Sequence, residues 1–154
     1  MLPLIDSHTT SWITGVYPSL TDAKEAVKKE EFYLLLNDET LLGTVILNHE
    51  AHENFLNLDW QTTSSYPEDY LIIHTLIIDQ TRKAQGIGTQ MIEYIKHYAK
   101  KLTVRSIRLD TAVTNSAARR LYEKTGFTYI GQEFLPTFDQ KGFDDCVFYE
   151  YVLN

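Results

Sequence analysis

The feature that most constrains this chain is a change of pattern within Ile72-Ile73-His74-Thr75-Leu76-Ile77-Ile78-Asp79-Gln80-Thr81-Arg82-Lys83-Ala84-Gln85-Gly86-Ile87-Gly88. A strand-like apolar run gives way to a basic loop containing glycines. The loop opens onto a helical period: Ile87, Met91, Ile95, Tyr98 and Leu102 recur along one face, with Glu93, Lys96, Lys100 and Lys101 elsewhere. The glycines therefore fall at the first turn of a helix. There the first amides lack intrahelical acceptors and the dipole end is positive, so backbone N–H groups can hold an anion if no side chain blocks the approach. Glycine leaves that approach clear. Two other phosphate loops fit worse. A dinucleotide loop needs G-x-G-x-x-G, and Met91 stands at its third glycine. A nucleoside-triphosphate loop needs G-x-x-x-x-G-K-[ST], which does not occur.

A second motif lies downstream: Asn115-Ser116-Ala117-Ala118-Arg119-Arg120-Leu121-Tyr122-Glu123-Lys124-Thr125-Gly126-Phe127. Together with Lys83-Ala84-Gln85-Gly86-Ile87-Gly88, it resembles the GNAT superfamily of N-acyltransferases, whose pattern is Q/R-x-x-G-x-G/A followed by N-x-x-A-x-x-L-Y-x-K-x-G-F. Only the first position departs, with Lys83 in place of Gln or Arg. The resemblance covers roughly Phe32 to the C-terminus. The family opens with a strand and a helix before a W-x-x-G-x-Y-P-like segment, here Trp12 to Pro18, so the resemblance implies that this chain starts late.

Length and composition agree with one domain spanning residues 1–154. A chain of this size buries roughly 68–70% of its unfolded surface and needs no covalent staples. Cys146 has no partner cysteine, which fits a reducing compartment. There is no apolar run of about eighteen residues and no basic-then-apolar leader, so neither a membrane span nor a secretory signal is expected, and the cytoplasm is the default location. The net charge of −7 opposes nucleic-acid binding and favours cationic amines. A homodimer is left open.

Met1 to Pro18 is irregular in pattern, with Trp12 and Tyr17 as isolated aromatic anchors. Ser19 or Thr21 can cap a short helix over Asp22 to Lys29. Phe32 to Leu36 and Leu41 to Leu47 read as hairpin strands joined by Asn37-Asp38-Glu39-Thr40. The polar, acidic stretch from Asn48 to Asp69 reads as a substrate-side loop or as an ordinary excursion with solvated acids. Tyr70 to Ile78 is apolar enough for a strand covered on both faces. Its partner across the helix is Val104 to Thr111, giving a βαβ unit with a parallel pair. Asn115 caps a helix over Ser116 to Lys124, with Ala118 and Tyr122 on its side, Ala117 and Leu121 toward the core, and Arg119, Arg120 and Glu123 toward solvent. Gly126 stops that helix. Phe127 to Phe134 and Cys146 to Leu153 close the fold as a hairpin, with Leu135 to Asp145 as its loop. The whole is a mixed α/β layer. From the resemblance, the fold class is α/β with a GNAT-like mixed sheet whose central parallel strands splay apart for the cofactor.

Acetyl transfer needs a neutral amine, stabilisation of a developing oxyanion and a proton for the departing thiolate. The resemblance implies acetyl-CoA as acyl donor and direct attack by a small-molecule primary amine in a ternary complex, with a cationic acceptor such as a polyamine or amino-sugar favoured by charge. It places the donor against backbone groups of Leu76, Ile77 and Ile78, against Lys83, Ala84, Gln85, Gly86, Ile87, Gly88 and Thr89, and against Asn115, Ala118 and Tyr122. Tyr122 holds the family's general-acid position, and His74 stands where several members carry a glutamate base. An imidazole suits proton removal near neutral pH, although a hydrogen-bonded core histidine reads equally well. His49 and His52 lie three apart but lack a third ligand, so no metal is expected. Cys146 is read as a buried, inert thiol. The alternative is a non-catalytic acyl-CoA-binding regulatory module, which would have no use for the Tyr122 hydroxyl.

Overall fold

The computed structural model describes residues 20–51, 53–82, 85–136 and 142–153. Trp12, Tyr17, Ser19, His52, Lys83 and Ala84 lie outside the described residues.

The chain runs α1 (Leu20–Lys28), β1 (Phe32–Asn37), β2 (Thr40–Asn48), two short 3₁₀ turns (Glu53–Asn57 and Pro67–Asp69), β3 (Tyr70–Ile78), a 3₁₀ turn (Gln80–Arg82), α2 (Ile87–Leu102), β4 (Ser106–Ala112), α3 (Ser116–Lys124), β5 (Thr128–Pro136) and β6 (Phe143–Val152). The six strands form one sheet in the order β1-β2-β3-β4-β6-β5. Only β3 and β4 pair in parallel, as the helical crossover between them requires. The terminal hairpin closes the sheet with its second strand inside, because β6 pairs β4 over seven residues, Ser106↔Val152 to Ala112↔Cys146.

Most element bounds follow the hydrophobic pattern, and the departures have local causes. Helix α1 begins at Leu20, so Thr21 lies inside it and cannot be its cap. In the closing hairpin, β5 runs to Pro136 and β6 starts at Phe143, because ladder pairing carries the strands beyond the apolar runs that the sequence marks. In α3, Ala117 is exposed while Tyr122 is buried. Arg119 turns inward: Nε donates to the Tyr149 hydroxyl at 3.2 Å and Nη1 to the Val113 carbonyl at 3.1 Å. A long side chain on a helix flank can lay its stem on apolar surface and still reach acceptors, which a solvent-facing assignment overlooks.

The sheet carries a core on each face. On one, α2 packs Ile87, Met91, Ile92, Ile95 and Ala99 against Leu71, Ile73, Ile107, Leu109, Val147 and Tyr149. On the other, Phe55 covers Tyr70, Ile72, Cys146 and Phe148, with Leu58 and Trp60 alongside. The stretch after β2 is thus a strap over the sheet. Its fastening is electrostatic: Glu150, 1% exposed, forms an ion pair with Arg108 at 3.1 Å. The same carboxylate accepts from Ser106 Oγ at 2.7 Å and from the Gln61 backbone N–H at 2.6 Å. Arg108 also donates to the Thr62 carbonyl, and its guanidinium lies between the rings of Trp60 and Tyr70, 4.3 and 3.7 Å from their centroids.

Candidate functional site

The β3–β4 pairing stops early. Tyr70, Leu71 and Ile72 pair with Ser106, Ile107 and Arg108, and beyond them the two strands have no shared ladder. On β3 the departure coincides with a bulge. Between Thr44↔Ile77 and Ile46↔His74, β3 advances three residues while β2 advances two, and Thr75 takes φ +49°. A β-branched residue avoids that region unless its surroundings hold it there, so the bulge marks a place where the fold sustains backbone strain. Past Ile72, including the Leu76 to Ile78 segment, β3 therefore shares no ladder with β4.

Helix α2 begins beside that segment. Gly86 is its N-cap at φ +76°, without side-chain capping, and no acidic residue sits in the first turn. Gln85, Gly86, Ile87, Gly88 and Thr89 therefore form a helix start whose N–H groups suit an anion. The two glycines do different work. A Cβ at Gly86 would meet nothing within 4 Å, so the positive φ is what selects glycine there. A Cβ at Gly88 would come within 3.0 Å of Leu121 Cδ2 and 3.1 Å of Ile78 Cδ1, so Gly88 serves the close packing of α2 on β3 and α3. At Gly88 a packing demand that the sequence did not show thus stands beside the expected clear path for an anion.

Helix α3 forms the far wall. Asn115 caps it, its Oδ1 accepting from the Ala118 N–H at 3.2 Å, and Gly126 at φ +95° ends it. Tyr122 is 5% exposed and packs on Phe127 and Tyr149. Its hydroxyl has no hydrogen-bond partner among the described residues. Burial, and then the charge of Asp110, raise its pKa far above the ordinary phenol value, so it stays protonated. A buried hydroxyl without a partner is costly in a finished core and suited to a site that awaits a ligand.

His74 lies just past the end of the β3–β4 ladder, on the strap-covered face. Its Nε2 is 2.7 Å from Asn48 Oδ1 and 3.0 Å from the Glu50 carbonyl. Both are acceptors, since Asn48 Oδ1 also accepts the Glu50 N–H at 2.9 Å, so Nε2 carries the proton and Nδ1 the lone pair. Burial pushes the His74 pKa down, which keeps the ring neutral. The hydrogen-bonded reading of His74 is thus present in the structure, with Nδ1 left as the unprotonated nitrogen.

One residue that the sequence did not single out stands beside these. Asp110 follows Ser106 and Arg108 on the same face of β4, at the register position opposite His74 if the Ile72↔Arg108 pairing were continued. Its carboxylate accepts its own backbone N–H, and burial pushes its pKa up to about 6, with Asp144 adding to the shift. The polar alternation Ser106, Arg108, Asp110 along an otherwise apolar strand was the available signal. Elsewhere, His49 Nδ1 bonds to the Tyr70 carbonyl at 2.6 Å, and no group of three metal-ligating side chains occurs among the described residues. Cys146 is buried, and its thiol is pushed up to about 12 by burial.

A mixed sheet whose central parallel pair parts beside a glycine-opened helix, with a buried tyrosine on the far wall, defines the acyl-CoA N-acyltransferase class of α/β folds. The chain belongs to the acetyltransferase (GNAT) family, whose model matches residues 3–127. It is 32% identical over 94 residues to the streptothricin acetyltransferase of Escherichia coli, a match taking in 61% of this chain and 50% of that protein, so it spans about half the length of this curated relative. Among solved structures, a GNAT-family acetyltransferase from Streptococcus agalactiae superposes with a TM-score of 0.72 at 16% identity, covering 90% of this chain and 74% of that one. A provisionally assigned streptothricin acetyltransferase from Bacillus anthracis, solved with acetyl coenzyme A, gives 0.60 at 23% identity over 80% of this chain and 62% of that one. At these identities the likeness establishes the fold. No helix among the described residues is long and apolar enough to cross a membrane.

Proposed function

We propose that the protein transfers the acetyl group of acetyl-CoA to a primary amine of a small cationic molecule, by direct attack in a ternary complex. The observation that carries this reading is the early end of the β3–β4 ladder at Ile72↔Arg108, beside the bulge at Thr75 and with the unpartnered Tyr122 hydroxyl on α3, in a chain of this family. Acetyl-CoA supplies an activated acyl carbon and a thiolate leaving group. The α2 start, from Lys83 and Ala84 through Gln85, Gly86, Ile87, Gly88 and Thr89, would hold its pyrophosphate. Backbone groups of Leu76, Ile77 and Ile78, with Asn115 and Ala118 opposite, would hold the arm that bears the thioester. Tyr122, protonated throughout the working pH range, is the proposed proton donor to the thiolate. His74, neutral and with Nδ1 unprotonated, is a proposed acceptor of an amine proton.

The net charge of −7 supports a cationic acceptor. The name of the E. coli relative gives streptothricin as that protein's acceptor, and a small amine of that general kind belongs to the class proposed here. The lone buried cysteine favours a reducing cytoplasm as the working compartment.

The decisive experiment is a thermal-shift series with acetyl-CoA, CoA and NAD, followed by acetyl-CoA turnover over a panel of amines. Acetyl-CoA and CoA should raise the melting temperature by mass action, and cationic amines should be turned over best. A shift with NAD alone would refute the donor assignment. A preference for neutral or anionic acceptors would refute the charge argument. His74→Gln should alter the acid limb of the pH–rate profile if Nδ1 takes a proton, and leave its shape intact if the ring is purely structural.

A further inference from the structure

Tyr122 sits in the last turn of α3, and that turn is held from outside its own helix. The Tyr122 carbonyl accepts the Phe127 N–H at 3.0 Å and the Thr125 hydroxyl at 3.1 Å, so the chain leaving the helix folds back on the tyrosine. The Thr125 carbonyl lies at the negative end of the helix dipole, and Lys96 Nζ, from the middle of α2, donates to it. Although Lys96 falls off the apolar face of α2 in sequence, its side chain is only 13% exposed. Its ammonium also lies 4.2 Å from the centre of the Tyr151 ring and 3.3 Å from Glu93 Oε1. From there a continuous stack of rings leads to the site. Tyr151 meets Phe127 at 5.5 Å between centroids, and Phe127 meets Tyr122 at 5.6 Å. Gly126 stands in the same corner, where a Cβ would come 3.5 Å from the Tyr151 ring and 4.0 Å from Lys96 Nζ.

We propose that Lys96 is a positioning residue for acetyl transfer, whose ammonium ties the turn of α3 that carries Tyr122 to α2, the helix whose start would hold the donor's pyrophosphate. The proposal rests on the acetyl-transfer reading and adds to it the link that sets the two halves of the donor site at a fixed separation. The need for such a link is geometrical. Once the pyrophosphate is held at α2 and the arm along β3, those two elements set the place of the sulfur, whereas the proton that it takes comes from α3. That helix has nine residues, too few to hold its own shape without tertiary contacts. A reacting group displaced by about 1 Å can lower a rate by about 10²-fold, so a loose last turn would be felt at the Tyr122 hydroxyl. Three partners around a nearly buried ammonium, a helix-terminal carbonyl, a ring face and a carboxylate, keep Lys96 in one place. It acts through Tyr122 and has no role in binding the donor.

The test is Lys96→Met, which keeps the apolar stem over Tyr151 and removes the ammonium. With acetyl-CoA and a primary amine both saturating, kcat per folded molecule should fall by about 10–10²-fold. The dissociation constant of acetyl-CoA should stay near the parental value, because the α2 start and β3 are untouched. Lys96→Arg should recover most of the rate, since a guanidinium can reach the same carbonyl and the same ring face. In a Tyr122→Phe background, Lys96→Met should cause little further loss, because the hydroxyl that it positions is already gone. Lys96→Gln, neutral and shorter, should behave as Lys96→Met does and replaces it should the methionine disturb folding. A parental kcat in the folded variant, with or without a lower melting temperature, would overturn the proposal and leave Lys96 a purely structural residue. So would a loss that repeats in full in the Tyr122→Phe background. If Tyr122→Phe alone turns over at the parental rate, the proton-donor reading fails, and if the unaltered protein binds acetyl-CoA but acetylates no amine, the acetyl-transfer reading fails; the proposal falls with either.

Discussion

The two ends of the β3–β4 pair are built on opposite principles. At the closed end, Tyr70 to Ile72 are laddered to Ser106 to Arg108, and the one buried ion pair there, Arg108 with Glu150, has nearly every donor and acceptor engaged. At the open end, only two residues further along each strand, the ladder is gone. There the Tyr122 hydroxyl and His74 Nδ1 have no hydrogen-bond partner among the described residues, and the Asp110 carboxylate accepts only its own backbone N–H. Arg108 and Asp110 lie on one strand and one face, yet the first is neutralised within the protein and the second is not. A buried charge with a full set of partners fastens structure, whereas one without them keeps its binding capacity for something that arrives later. The closed end holds the sheet and its strap in place, so that the open end can remain unsatisfied without the strands collapsing together.

The sharpest way to separate the two ends is Tyr122→Phe, which keeps the ring packed on Phe127 and Tyr149 and deletes the hydroxyl. Acetyl transfer should fall by about 10²–10⁴-fold, with folding and acetyl-CoA affinity retained. If turnover is unchanged when chemistry limits the rate, the open end is not supplying the proton to sulfur. At the closed end, Glu150→Ala leaves the Arg108 guanidinium buried and unpaired and also releases Gln61 and Thr62 of the strap. A loss of about 3–5 kcal/mol is expected in urea unfolding. A loss below about 1 kcal/mol would mean that the knot does not fasten the strap.

Gly88→Val probes the hinge between the ends, because its side chain would press on Ile78 at the end of β3 and on Leu121 next to Tyr122. It should cost about 1–3 kcal/mol of stability and weaken acetyl-CoA binding together, whereas Gly86→Ala should cost about 1 kcal/mol through backbone strain alone. Equal effects at the two glycines would contradict the packing role assigned to Gly88.

The last effect, also small, has an unusual sign. Asp110 has a folded-state pKa of about 6 against an ordinary 3.8, so the folded protein binds more protons than the unfolded chain between those values, and the carboxylate costs stability as pH rises through them. The difference corresponds to at most about 3 kcal/mol, which partial exposure reduces to about 1–2 kcal/mol. Asp110→Asn should therefore be more stable than the parent by that amount at pH 8, with the gain gone below pH 4. A stability loss at pH 8 would show that Asp110 has a stabilising partner and belongs with the closed end.

Much of this was legible in the sequence because it is written in short-range spacing. The period of α2, the Asn115 cap seven residues before Tyr122, the β1–β2 turn and the full extent of β3 each depend on residues a few positions apart, where backbone geometry converts sequence separation directly into direction. The phosphate-compatible loop was read from the same kind of spacing, whereas Tyr122 became the general-acid candidate only through the resemblance of Asn115 to Phe127 to the GNAT motif. What only the tertiary structure decided involves residues brought together by register. Arg108 and Glu150 are 42 residues apart and meet because β6 enters the sheet between β4 and β5, an order that no local pattern specifies. The inward turn of Arg119, the demand for glycine at position 88 and the open surroundings of Asp110 likewise depend on which strand or helix happens to lie opposite. Local chemistry sets what each element is and which face it offers, but whether a charge on that face is paired or left waiting is fixed by long-range pairing, because the partner comes from another part of the chain.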